Sequence, residues 1–271
     1  MDQQTDVDAA ARGDGAAFQR LVEPLRRPLQ SFIARSVTHP ADAEDLYQET
    51  LIKAHKGLST FRGDASFKTW IFSIAARTCM DHLRSRKRWR VETQLDGQQA
   101  MYDCPELLER TAAVNAQPDF SYSIREHIAF CFSCVARVLS PEQQAAVFLR
   151  EVFDFGNRDA SKMLGMSESV FRHHLSAARR TMQDAFEQLC SLIGKQGACY
   201  QCRQLRELTP EGKRGDDLER IGDEHAAAEQ LLEERLTIVR EADLLGGPSN
   251  KLHDLFFEFM TSVEEGRPFP A

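Results

Sequence analysis

Apolar residues in this 271-residue chain recur at intervals of three and four and almost nowhere alternate, which restricts the chain to helices packed on helices. Phe18, Leu21, Val22, Leu25, Leu29, Phe32 and Ile33 trace one face of a helix, or of two helices bent at Pro24 and Pro28, and Pro40 limits its run. Asp42 then precedes Ala43, Glu44 and Asp45, placing acids near a helix N-terminus. Leu46, Thr50, Leu51, Ala54 and Leu58 form that helix's buried stripe. After Gly63, a third pattern over Ser66 to Arg88 turns Trp70, Ile71, Ile74, Ala75, Thr78 and Leu83 inward. Residues 91–123 lose the period and contain Gly97, Pro105 and Pro118, so they read as a linker with a short helix around Leu107.

Helical spacing resumes from Ile124 to Leu189. Ser140-Pro141-Glu142-Gln143 is a start signal, with a cap, a proline at the first helical position and a glutamine that can complete a capping box. Asn157 to Leu164 reads as a short helix, Gly165-Met166-Ser167 as a turn, and Ser167 as the cap of a helix to about Phe186. That arrangement is a helix-turn-helix, although a plain helical hairpin shows the same local pattern. From Cys190 onward come a cysteine pair, a polar stretch from Thr209 to Asp217 and two more helical patterns. In the last, Leu252, Leu255, Phe256, Phe259, Met260 and Val263 make one apolar stripe that must pack on something.

The expected fold class is all-α: a helical bundle over 1–90, the linker, a helix-turn-helix domain over 124–189 and a helical extension over 190–271. Charge is divided unevenly among these parts. From Arg203 to the end there are 16 acidic residues against 9 basic ones, a net −7 that equals the charge of the whole chain and leaves residues 1–202 neutral overall. Between Arg77 and Arg90, six Lys or Arg stand against a single acid, Asp81, the kind of cluster that contacts phosphates. A solvated helix end would carry the same run.

The start MDQQTDVDAAARGDGAAF lacks a basic segment followed by an apolar run, and no stretch approaches the roughly 18 apolar residues of a membrane span. A cytoplasmic protein is expected, with its seven cysteines in a reducing compartment. Cys131-Phe-Ser-Cys134 and Cys199-Tyr-Gln-Cys202 are two C-x2-C pairs, and two such pairs can supply a tetrahedral thiolate site for a structural zinc. The 64 intervening residues far exceed finger spacing, so the fold would have to unite them. Small buried side chains and a redox pair are the alternatives.

The stretch ADAEDLYQETLIKAHKGLSTFRGDASFKTWIFSIAARTCMDHLRSRKR resembles the second conserved region of extracytoplasmic-function (ECF) sigma factors, and LSPEQQAAVFLREVFDFGNRDASKMLGMSESVFRHHLSAARRTM resembles their fourth. The likeness covers roughly residues 16 to 190 and leaves out the extension. It implies a promoter-recognition subunit with no catalytic residue and no required cofactor, whose partners are core RNA polymerase and promoter DNA, with an anti-sigma protein as a further partner type. By the same resemblance, Asp45, Gln48 and Glu49 match the polymerase-docking surface. Phe61 to Arg88 matches the part that melts and holds the minus-10 element, offering Phe61, Phe67 and Trp70 near a basic track of Arg77, Arg84, Arg86, Lys87 and Arg88. Arg77 stands where many family members have Asn, and Trp70 falls on the buried stripe. In the helix-turn-helix, Ser169, Arg172 and His173 match base-edge positions for the minus-35 element, and Arg179 and Arg180 match phosphate positions. Adjacent His173 and His174 point about 100° apart on a helix and do not readily share a metal ion.

Two other readings compete. A helix-turn-helix repressor acting without polymerase accounts for the second block and leaves the first without a purpose. A dithiol oxidoreductase lacks the βαβ context in which such cysteine pairs usually sit.

Overall fold

The computed structural model describes residues 3–86, 88–90, 92–189, 209–214, 227–247 and 249–270. The fold is all-α. Among the described residues the one extended pairing is an isolated bridge between Tyr122 and Arg214. The chain divides into two compact units, Met1–Arg86 with Pro141–Leu175 and Lys87–Ser140 with Ser176–Ala271.

The first unit is built on α1 (Gln3–Ala11), α2 (Gly15–Val22), α3 (Arg26–Val37), α4 (Pro40–Gly57) and α5 (Phe67–Ser85). Asp14 caps α2 by accepting from the N–H groups of Ala16 and Ala17. Pro24 carries no N–H to continue that ladder, and the chain passes through a 3₁₀ turn, Glu23–Leu25, before α3. α3 stops at Thr38, which is left-handed at φ 62°. Pro40 opens α4 two residues before the acids, with His39 Nδ1 accepting from the Asp42 N–H at 3.4 Å. Ser66 caps α5 through the Thr69 N–H at 3.0 Å.

Leu29, Phe32 and Ile33 of α3 and Ile71, Phe72 and Ala75 of α5 are fully buried, joined by Leu46, Thr50 and Ala54 of α4. The expected stripes hold except that Leu25, Leu51, Trp70 and Ile74 are only half-buried, and Tyr47 is buried beside Leu46.

α9 (Pro141–Val147), a π-turn over Phe148–Val152 and α10 (Asn157–Met163) belong to this same unit. Phe153, delivered by the π-turn, meets Phe32 edge-on at 5.4 Å and Phe72 at 5.8 Å, and Phe155 lies 5.1 Å from Phe72. The Gln144 amide donates to the Ser36 carbonyl at 2.8 Å, satisfying one of the carbonyls orphaned at the end of α3.

The second unit corrects the reading of residues 91–123 as a linker with one short helix. They form α6 (Thr93–Tyr102) and α7 (Pro105–Asn115), with Met101 and Leu107 fully buried. What covers them comes from the far end of the chain. α13 (Asn250–Glu265) packs on α6, α7 and α8 (Ile124–Val135) and buries Leu252, Leu255, Phe256, Phe257, Phe259 and Met260. Trp89 stacks on Phe257 at 5.3 Å and 21°. The Glu264 carboxylate accepts from the Thr93 hydroxyl at 2.5 Å and from Arg90 at 3.4 Å. α12 (Ala228–Glu241) runs along α8 with Leu231, Leu232, Leu236 and Val239 inward.

One polar cluster lies inside this packing. His253 stacks on Phe130 at 4.6 Å and approaches His127 at 5.6 Å, and no nitrogen of either imidazole has a hydrogen-bond partner among the described residues. Burial, then neighbouring His127, lowers the His253 pKa well below the ordinary histidine value. Burial raises the next carboxyl, Asp254, to about 6. The two act in opposite senses. Below the ordinary histidine pKa the unfolded chain takes a proton at His253 that the folded chain refuses, so this contribution loses stability as pH falls. Below about 6 the folded chain holds a proton at Asp254 that the unfolded chain does not, so that contribution gains stability as pH falls. Relative to the unsubstituted chain, His253→Phe is expected to gain stability between about pH 7 and 5 and Asp254→Asn to lose it. Urea unfolding at both pH values checks the pair, and trends of the same sign would contradict the assignment.

Candidate nucleic-acid interface

α4 turns Asp45, Gln48 and Glu49 to solvent while Leu46, Tyr47 and Thr50 face the core, as helical spacing requires. Lys53 pairs with Glu49 at 2.7 Å, and Gln48 donates to Glu44 at 2.7 Å. Ile52 continues this outward stripe one turn further and is 54% exposed. The sequence reading passed over it, although an apolar residue out of phase with the buried stripe was the available signal.

Between α4 and α5 the chain turns at Gly63, where φ is +74°. Phe61, Phe67 and Trp70 cluster there with ring centroids 5.2 to 6.1 Å apart. Phe67 is buried, whereas Phe61 and Trp70 are half-buried and line a cavity of about 230 Å³ together with Arg62, Asp64 and Lys162. Trp70 is therefore not the core residue its place on the stripe suggested. Arg77, one of the expected nucleic-acid contacts, donates from Nε to the Met163 carbonyl at 3.2 Å, and Met163 also lines the cavity.

The basic track is exposed and partly counter-paired. Arg84 bonds Asp81 at 2.7 Å and Glu142 at 2.8 Å, and Arg86 meets Asp42 at 3.2 Å. Arg88 is exposed, and Lys87 lies outside the described residues.

The helix-turn-helix pattern forms as α10, a turn with Gly165 at φ +69°, and α11 (Glu168–Leu189), which Ser167 caps by accepting from the Val170 N–H at 3.3 Å. α11 sets Phe171, Ala178 and Met182 inward. Ser169, Arg172, His173 and Arg180 are exposed, with Arg172 held by Glu168 at 2.8 Å. Val170, at 45% exposure, adds an apolar residue to the same end. The His173 and His174 rings stand 6.2 Å apart at 65°. Arg179 differs from its neighbour Arg180: its side chain is only 21% exposed and meets Glu233 at 2.6 Å and Glu229 at 3.8 Å.

Cys131 and Cys134 are buried on α8, and burial pushes the Cys134 thiol well up. Cys190, Cys199 and Cys202 lie outside the described residues, and among the described residues no three His, Cys, Asp or Glu side chains converge on a metal position. No helix among them is long and apolar enough to cross a membrane.

The sigma-70 region 2 family model matches residues 21–89, and the sigma-70 region 4 model matches 130–182. The two matched regions lie in the order region 2, then region 4. Several of the curated relatives that the chain resembles are ECF RNA polymerase sigma factors. The protein is 32% identical over 183 residues to the ECF RNA polymerase sigma factor SigG of Mycobacterium tuberculosis, covering 64% of this chain and 48% of SigG. It thus spans about half the length of that relative. It is 28% identical over 190 residues to the RNA polymerase sigma-H factor of Pseudomonas aeruginosa, covering 70% of this chain and 95% of the relative. Among solved structures, the sigma factor RpoE in complex with the anti-sigma factor NepR from Bartonella quintana aligns with a TM-score of 0.43 at 22% identity, over 62% of this chain and 96% of that one.

The ion pairs of Arg84 are solvent-exposed and contribute little to folding. Arg84→Ala should move the unfolding free energy by less than about 1 kcal/mol. A much larger loss in urea titration would make this arginine a structural residue.

Proposed function

We propose that this chain is a sigma factor: it docks on core RNA polymerase, recognises and melts promoter DNA, and carries out no chemistry of its own. The observation that carries the reading is the aromatic cavity, lined by two cations and by Met163, whose carbonyl accepts from Arg77. Melting requires a place for a base that has left the stack, with a ring to lie against and cations for the backbone. Phe61 and Trp70 offer half-buried ring faces, and Arg62 and Lys162 line the same cavity.

In this reading residues 1–90 bind polymerase and the minus-10 element, 124–189 bind the minus-35 element, and 190–271 are an added acidic segment. Asp45, Gln48 and Glu49, with Ile52 as an apolar centre, form the polymerase contact. Arg77, Arg84, Arg86, Lys87 and Arg88 serve the melted strand. Ser169, Arg172 and His173 read base edges, and Arg180 contacts phosphate. Cytoplasmic placement follows from the polymerase as partner.

Reversing charge at Asp45 and Glu49 should lower affinity for core polymerase by about tenfold or more with the fold intact, because both side chains are exposed. Sedimentation with core enzyme measures this, and unchanged binding by a folded variant would reject the docking surface.

On the recognition helix, two arginines should separate by kind of loss. Arg172→Ala should forfeit about 1 to 3 kcal/mol of discrimination between promoter and altered upstream sequences. Arg180→Ala should weaken binding evenly and flatten its salt dependence. Holoenzyme binding to matched and scrambled duplexes distinguishes them, and identical profiles would refute the division of roles.

A further inference from the structure

Arg179 and Arg180 are neighbours on α11 and both match phosphate positions, yet among the described residues only Arg179 meets carboxylates. Its guanidinium meets Glu233 at 2.6 Å and Glu229 at 3.8 Å, two acids one turn apart on α12. α12 is fixed in that position by two further contacts. The Arg235 guanidinium lies 3.7 Å over the Phe186 ring of α11, and Leu231 and Leu232 line a small cleft with Gln183 and Phe186. The acids therefore sit on the recognition helix because their own helix packs there, and they present carboxylate oxygens to the guanidinium that a DNA phosphate would otherwise engage. Glu229 is 79% exposed and Glu233 46%, so the pair lies at the surface where duplex DNA would approach.

We propose that α12 is an internal competitor for DNA: Glu229 and Glu233 occupy Arg179 as stand-ins for backbone phosphate, and promoter engagement requires Arg179 to exchange its carboxylate partners for DNA. This rests on the reading of α11 as a DNA-contacting helix. The exchange replaces one charge-assisted pair by another and leaves the α12 packing through Phe186 in place. The acidic segment thereby lowers affinity for every duplex alike, because phosphate contacts carry no sequence information.

The test uses the full chain and a fluorescein-labelled 30-base-pair duplex of mixed sequence at low salt, since a phosphate contact needs no particular promoter. The Glu229→Gln/Glu233→Gln variant is expected to bind about three- to tenfold more tightly than the unsubstituted chain, with a salt dependence steeper by about one counterion. Arg179→Ala should change little in the unsubstituted chain and should cancel the gain in the double-glutamine background. Thermal unfolding of each variant verifies that it is folded. If the glutamines give no gain while Arg179→Ala alone weakens binding, Arg179 contacts phosphate without being masked and the competitor role is overturned. An equal gain with and without Arg179 would reduce the effect to net charge and overturn it too. If Arg179→Ala is silent in both backgrounds, the phosphate role of Arg179 fails together with the proposal, whereas the Arg180 comparison still judges α11 as a DNA-contacting helix.

Discussion

Phe153 is the residue on which the first unit turns. The π-turn over Phe148–Val152 carries it onto Phe32 and Phe72, two fully buried rings belonging to α3 and α5. Edge-to-face and offset ring pairs of this kind contribute about 0.5 to 1.5 kcal/mol each beyond the area they bury. The Gln144 bond to the last turn of α3 adds a directional constraint that ring packing lacks. With α9 and α10 fastened in this way, Lys162 and Met163 come to line the aromatic cavity, and Arg77 finds a backbone carbonyl. The candidate base-holding site is thus shaped by residues about a hundred positions apart.

In the second unit the corresponding constraint is α13. Helices α6 and α7 both pack against α13, on which Phe256, Phe257 and their neighbours are buried. Trp89 on Phe257 and Thr93 on Glu264 fix the register of that docking. The buried His127 and His253 pair lies in the same layer. Four ring nitrogens without partners among the described residues are a cost that apolar side chains would not incur. His253, its pKa lowered by burial, therefore makes this packing sensitive to protonation.

Charge carries the functional argument, and its meaning changes between sequence and structure. As a string, residues 77–90 are a block of cations. Folded, Arg84 and Arg86 already have carboxylate partners in Asp81, Glu142 and Asp42, and these exposed pairs exchange readily for phosphate. The acidic extension likewise looked like a diffuse negative field, and the structure resolves part of it into two carboxylates on one arginine.

The sequence alone determined the all-α class, the starts at Pro141 and Ser167, the turn at Gly165 and the outward placement of Asp45, Gln48 and Glu49. Each depends on periods of three and four residues, on caps and on a positive φ, all local properties that a chain carries wherever it folds. Tertiary structure decided the rest. That 91–123 would be helical, that Trp70 would line a cavity rather than fill the core, and that Arg179 would be occupied while Arg180 is exposed all depend on which distant segment arrives to cover a surface. Those partners are Phe257, Lys162 and Glu233, and no periodicity in one segment encodes the identity of the segment that packs against it.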